Sequence, residues 1–183
     1  MKILIIGSPG SGKTTLSKQL SHRLKLPVFH LDDYYWLRNW QRPSEETWLA
    51  ILDTLLLRKN WIIDGNYYAS FQKRALQADH IIYLDYSIFL CLYRASKRAL
   101  TRCFISTQSL PPALRVNHTL RLRGYWPFIK LIIRFKSNYR CNIIAFLNQK
   151  KIPHTILQTP YETSIFFENL GITPNTLGCI FRL

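Results

Sequence analysis

The sequence predicts an α/β fold built on a parallel sheet, and three observations carry that expectation. Short apolar runs alternate with stretches of helical periodicity from the first residues to about position 170, the order that builds parallel sheets. Four of the runs end at Gly7, at Asp32-Asp33, at Asp64 and at Asp85, and the carboxyl ends of strands are where open α/β sheets bind ligands. The first run also enters a glycine-rich turn that leads straight into a helix, the context in which such a turn holds phosphate.

That turn lies in residues 3–15, Ile-Leu-Ile-Ile-Gly-Ser-Pro-Gly-Ser-Gly-Lys-Thr-Thr, which contain the G-x-x-x-x-G-K-[ST] pattern of a nucleoside triphosphate site from Gly7 to Thr14. Glycines at 7, 10 and 12 let successive backbone N–H groups turn inward around phosphate oxygens. Gly7, Ser8, Pro9, Gly10, Ser11, Gly12, Lys13, Thr14 and Thr15 therefore form the expected ATP-binding stretch. Lys13 supplies a point charge for the β and γ oxygens and Thr14 a hydroxyl ligand for Mg2+. A helix over 14–24 adds its positive end.

The other elements follow in order. Residues 27–31 read as a buried strand running into Asp32-Asp33. Ser44 before Glu45, Glu46 and Thr47 resembles a helix cap, and Trp48, Leu49, Leu52, Leu55 and Leu56 recur at helical spacing up to Arg58. Residues 61–63 form a third strand ending in Asp64-Gly65, a helix is expected over 70–76, and 80–84 form a fourth strand ending in Asp85. Residues 88–102 look helical, with Arg94, Arg98 and Arg102 spaced four apart on one face. The stretch 103–125 holds Pro111-Pro112 and little periodicity and reads as a mobile loop or lid. A helix over 126–149, a fifth strand over 152–157 and a last helix over 160–170 complete the pattern, and 171–183 has no assignment.

A chain of 183 residues, 48% hydrophobic, suffices for a single domain spanning 1–183. Its apolar start runs into the phosphate loop with no cleavage site, which argues against a signal peptide, and no apolar stretch is long enough to span a bilayer. The expectation is a soluble, cytoplasmic protein. Cysteines at 91, 103, 141 and 179 have no paired spacing, which speaks against a zinc site or a disulfide framework. The net charge of +15 is uneven: residues 1–90 carry 11 Lys or Arg against 8 Asp or Glu, and residues 91–183 carry 14 against 2. Such a field attracts polyanions, with nucleotide phosphates, nucleic acid and anionic lipid as candidates.

Phosphoryl transfer needs a carboxylate to organise Mg2+ or its waters and often a second to orient the acceptor. Asp64 and the Asp32-Asp33 pair suit those two tasks, with Asp32, next to the strand, the member expected to face the phosphates. Asp85 is expected to cap a helix or to partner the loop instead. Arg94 and Arg98, with Arg102, have no acid near them in sequence and form a row able to clamp charge spread over equatorial oxygens. Tyr34, Tyr35, Trp36 and Trp40, with Arg38 and Arg42, can wall a pocket or simply pack, Tyr67 and Tyr68 face the same region, and His30 reads as a core or rim histidine.

Gly-Ser-Pro-Gly-Ser-Gly-Lys-Thr-Thr at 7–15, His-Leu-Asp-Asp-Tyr-Tyr-Trp at 30–36, Trp-Ile-Ile-Asp-Gly-Asn-Tyr at 61–67 and the stretch from Tyr83-Leu-Asp-Tyr to Leu92-Tyr93-Arg94 resemble the topology-modulation (FlaR-type) proteins, relatives of adenylate kinase and other nucleoside monophosphate kinases. The resemblance covers about residues 1–102. It implies a three-layer P-loop fold with a five-stranded parallel sheet of order 2-3-1-4-5, an acceptor-binding segment around 32–60 and a lid after Arg94. It also implies that Gly12, Lys13 and Thr14 bind phosphate and Mg2+, that Asp64 takes the metal-side position and that Asp32 takes the acceptor-side position. Where relatives carry further arginines and an Arg-Pro-Asp stretch in the lid, this chain has Phe104 to Pro112, and Arg115, Arg121, Arg123 or Arg140 stand as substitutes.

The leading expectation is an ATP- and Mg2+-dependent kinase with an unidentified small-molecule acceptor. The alternative is a nucleotide-regulated nucleic-acid-binding protein using the basic second half. A third reading is membrane-surface association through the basic, aromatic segment 125–135.

Overall fold

The computed structural model describes residues 1–38, 41–104 and 125–170, the side chains of 100–104 and 125–128 excepted. The expected lid, apart from its helical ends, lies outside the described residues, as do Trp40, the side chain of Arg102, Arg115, Arg121, Arg123 and the tail 171–183.

The chain runs β1 (Lys2–Gly7), α1 (Lys13–Leu24), β2 (Val28–His30), α2 (Leu31–Tyr35), α3 (Glu45–Leu56), β3 (Trp61–Asp64), a 3-10 turn (Tyr68–Ser70), α4 (Phe71–Ala75), β4 (His80–Leu84), α5 (Ile88–Phe104), α6 (Tyr125–Gln149), β5 (His154–Leu157) and α7 (Pro160–Asn169). The five strands form one sheet of order 2-3-1-4-5, and each adjacent pair is parallel. The central strand β1 places Ile5 beside Asp64 and Gly7 beside Leu84. The phosphate loop thus leaves the sheet between the ends of β3 and β4.

Alternation along β1 divides the core into two faces. Leu4 and Ile6 pack with Trp48, Leu52, Leu55 and Leu56 of α3, Phe71 of α4, and Phe135, Ile143 and Leu147 of α6. Ile3 and Ile5 pack with Leu16 and Leu20 of α1, Cys91 and Ala95 of α5, Ile132 of α6, and Phe166 of α7. Helices cover both faces, so the layers are helix, sheet, helix. Ile132 and Phe135 are buried whereas Leu131 and Ile133 are 46% and 47% exposed, so part of the segment considered for a membrane surface serves the core. Among the described residues no helix is long and apolar enough to cross a membrane.

Ser44 caps α3, its hydroxyl accepting from the Thr47 N–H at 3.2 Å, as the sequence indicates. Three elements differ from expectation. The second strand ends at His30 and Leu31 opens α2, so Asp32 and Asp33 occupy a first helical turn, where carboxylates meet the positive helix end. The expected helix over 70–76 is divided between the 3-10 turn and α4, after Tyr67 at a φ of 23°. The fifth strand begins at His154, after Pro153, which has no N–H to give the ladder.

Candidate active site

The phosphate loop takes the conformation its glycines allow. Gly10 has φ 85°, and a Cβ there would lie 2.4 Å from the carbonyl oxygen of Cys91. Close approach of the loop to α5 thus requires glycine. Gly12, the residue ahead of α1, has φ 96°, and the space its missing side chain leaves open is bounded by an Arg94 guanidinium nitrogen at 3.7 Å. The buried Ser11 hydroxyl has no hydrogen-bond partner among the described residues. An orphaned hydroxyl beside an open cradle at a helix N-terminus fits a phosphate group.

Lys13 starts α1 and folds its ammonium back onto the loop, donating to the carbonyls of Gly7 at 2.8 Å and Ser8 at 3.1 Å. Loss of water pulls its pKa below the ordinary lysine value, opposed first by the charge of Asp64 and then by that of Asp32, while Arg98 acts with the burial. Lys13 is therefore the point at which the fields of Asp64, Asp32 and Arg98 meet.

Asp64, 4% exposed at the end of β3, accepts from the Ser17 hydroxyl at 2.8 Å and lies 3.0 Å from His30 Nδ1. The same Ser17 hydroxyl lies 3.1 Å from the Thr14 carbonyl, which links Asp64 to the turn carrying Thr14. His30, in register with Asp64 across β2 and β3, has its pKa raised, chiefly by the hydrogen bond to that carboxylate. It is a satisfied rim histidine, as expected, but its partner is the proposed metal-side acid. Among the described residues no cluster of three or more His, Cys, Asp or Glu gathers to hold a metal. Thr14 and Asp64 are oxygen donors of the kind Mg2+ accepts, and that ion commonly takes its other ligands from water and phosphate.

Asp32 is exposed in the first turn of α2 and accepts from the Tyr67 hydroxyl at 2.6 Å. Its charge reaches both Lys13 and Arg98. Asp32, far away in sequence, is thus the acid whose charge relieves Arg98 in that row. Arg94 donates to the Ser11 carbonyl at 3.4 Å and lies over the Tyr86 ring at 5.5 Å, while Arg98 is exposed one turn on.

Asp85 does not cap the next helix: Ser87 does, its hydroxyl accepting from Leu90 N–H at 3.2 Å. Asp85 instead binds α6, accepting from Arg140 Nε at 2.7 Å and lying 3.4 Å from the Lys136 ammonium. Arg140 is accordingly committed to Asp85, which removes it as a lid substitute. In the aromatic cluster Tyr35 packs against Trp36, Trp48 and Tyr67 at centroid distances of 5.4, 4.9 and 4.4 Å, with Arg42 over Trp36 at 5.4 Å.

Three contributors escape a reading of the sequence. Ser17 follows Thr14 by one helical turn and has no motif of its own. Asn66 Oδ1 accepts from the Gly7 N–H at 3.3 Å. Arg74, fully buried, sends its hydrogen bonds to backbone carbonyls, at 3.3 Å to Ser70, 2.8 Å to Gly65, 2.6 Å to Asn66 and 3.0 Å to Tyr67.

No protein-family model matches the chain, and no curated protein matches it. Solved structures do. Shikimate kinase from Acinetobacter baumannii, in complex with shikimate, aligns with a TM-score of 0.60 at 16% identity, covering 99% of this chain and 94% of that one. Shikimate kinase from Bacteroides thetaiotaomicron aligns with a TM-score of 0.53 at 16% identity over 92% and 94%. The enzyme from Aquifex aeolicus aligns with a TM-score of 0.50 at 14% identity over 97% and 98%. The likeness is one of fold: a five-stranded parallel sheet of order 2-3-1-4-5 with flanking helices.

Proposed function

We propose that this chain is an ATP- and Mg2+-dependent phosphotransferase that moves the γ-phosphoryl group to a small-molecule acceptor held by the segment around 32–60. The observation that carries the reading is the convergence on Lys13 of charges from Asp64, Asp32 and Arg98, beside a cradle bounded by Arg94. Lys13 exchanges the carbonyls of Gly7 and Ser8 for phosphate oxygens. Arg94 and Arg98 meet the charge that spreads over the transferred group. Thr14 and Asp64 would hold Mg2+, whose charge offsets that of the phosphates. Asp32, with one oxygen occupied by Tyr67, uses the other to orient an acceptor hydroxyl. The shared fold with kinases and the family resemblance at 30–36 and 61–67 support the same assignment.

The test is a screen of nucleosides, monophosphates and small hydroxyl compounds with γ-labelled ATP, run with wild type and Lys13→Ala. The substitution is expected to reduce transfer to background, and equal transfer by both proteins refutes the proposal.

A second reading is favoured by α5 and α6, neither of which contains an acidic residue, and by Phe89 and Tyr93 on α5, 84% and 64% exposed. Exposed rings beside basic side chains suit single-stranded nucleic acid. Affinity for an oligonucleotide should then fall steeply with salt, and no binding at low ionic strength excludes this role.

A further inference from the structure

Arg74 is a buried cation with unusual company. Among the described residues no carboxylate pairs with it, and every hydrogen bond it makes runs to a backbone carbonyl, three of them on the consecutive residues Gly65, Asn66 and Tyr67. Taking a guanidinium out of water without an opposing charge is costly, and here burial pushes its pKa down to about 9. It stays charged at neutral pH. The segment it grips is itself held in an uncommon shape: Tyr67 has a φ of 23°, a value that a non-glycine residue keeps only where its surroundings impose it.

Each gripped residue beyond Gly65 delivers one group to the site. Asn66 accepts from the Gly7 N–H at the mouth of the phosphate loop, and Tyr67 donates to Asp32. We propose that Arg74 is a positioning residue: by holding the carbonyls of Gly65, Asn66 and Tyr67 it fixes, as one rigid piece, the amide that steadies Gly7 and the phenol that orients Asp32. The use of that piece in catalysis rests on the phosphotransferase reading; the grip itself does not. The buried guanidinium donates from Nε, Nη1 and Nη2, three nitrogens set apart in one plane, a spread that lysine, with all its donors on one nitrogen, does not reproduce.

The experiment pairs Arg74→Met, which keeps the apolar stem and removes the donors, with Arg74→Lys. The protein is labelled with tyrosine carrying carbon-13 at Cζ, and the Tyr67 line is identified by its loss in Tyr67→Phe. In folded Arg74→Met that line is expected to move to the position of free tyrosine, and in Arg74→Lys to move part of the way. An unmoved line overturns the proposal whatever the activity, and if Arg74→Met does not fold, Arg74→Lys decides by the same criterion. Turnover is then read as transfer from γ-labelled MgATP to water. Arg74→Met should lower kcat on the order of 100-fold, the scale of an ångström-level misplacement, with a smaller change in KM. Combined with Tyr67→Phe, it should cost little more than Arg74→Met alone. Losses that multiply mean that Arg74 acts on the fold alone and overturn the assignment. Should wild type transfer no phosphate, the phosphotransferase reading fails while the Tyr67 line still decides the role of Arg74.

Discussion

β3 and β4 flank the central strand on opposite sides, and each ends in a buried aspartate, yet the two carboxylates have different company. Asp64 is held by the Ser17 hydroxyl and the His30 imidazole. Asp85 is held by two cations of α6, Arg140 and Lys136. A hydroxyl carries no charge and can turn away, whereas a guanidinium and an ammonium both carry one. The charge of Asp64 acts on Lys13, and Asp85 fastens α6 against the sheet. Under the proposed phosphotransferase function, equivalent positions at the ligand edge of one sheet divide between chemistry, at Asp64, and architecture, at Asp85.

Exchanging each acid for its amide is the most severe way to break that division. Asp64→Asn is expected to lower phosphate transfer from MgATP by roughly 100- to 1,000-fold, the scale of removing one preorganised electrostatic group, with little change in the urea midpoint. Asp85→Asn should do the reverse. Arg140 and Lys136 are 35% and 34% exposed, so solvent screens them, and the loss of stability should be about 2 kcal/mol, below that of a fully buried pair. Turnover per folded molecule should remain near wild type. Equal losses of turnover in the two variants place Asp85 in the site and end the contrast.

The stability half of that comparison has to be isolated from His80, which begins β4 at the opposite end. His80 Nε2 lies 2.9 Å from the Thr155 hydroxyl, and burial, aided by the charge of His154, pushes its pKa down from 6.5 to about 4. Between those values the unfolded chain binds a proton that the folded chain refuses. The contribution is therefore complete above pH 6.5 and lost as pH falls toward 4, amounting to about 3 kcal/mol across the window. Urea unfolding at several pH values should show His80→Asn with a flatter acid limb than wild type. Identical slopes assign the acid limb to other groups, and the Asp85→Asn measurement belongs above pH 6.5 in either case.

The sequence makes the acids at the strand ends visible because each follows a buried apolar run, and the charges of Asp32 and Asp64 both act on Lys13 of the phosphate loop. It also makes the sheet legible, since fully buried parallel strands read as short apolar runs between glycine and aspartate. What it hides are partnerships across distance. Arg140 lies 55 positions from Asp85, and nothing near either residue announces the pair. Arg74 looks like a surface base on a short helix, because burial of a charge by carbonyls leaves no trace in composition. Arg98 on α5 looks unrelieved for the same reason: Asp32 reaches it only once the chain has folded.

Within the Asp85 anchor the two cations are not equal, and separating them gives the smallest effect but the finest resolution. Arg140 donates through Nε at 2.7 Å, a charge-assisted hydrogen bond, and that bond raises its pKa above the ordinary arginine value. Lys136, at 3.4 Å, acts as a neighbouring charge. Arg140→Ala should therefore cost about 1 kcal/mol and Lys136→Ala about half of that, since both heads are partly solvated. With Asp85→Asn as background each cost should shrink, the coupling being larger for Arg140. Raising the salt concentration should erode the Lys136 coupling first, because a charge without a directed bond is screened more readily. Coupling that is larger for Lys136 means that the contact is a diffuse charge pair, and that Asp85 owes its fixed place at the end of β4 to backbone packing.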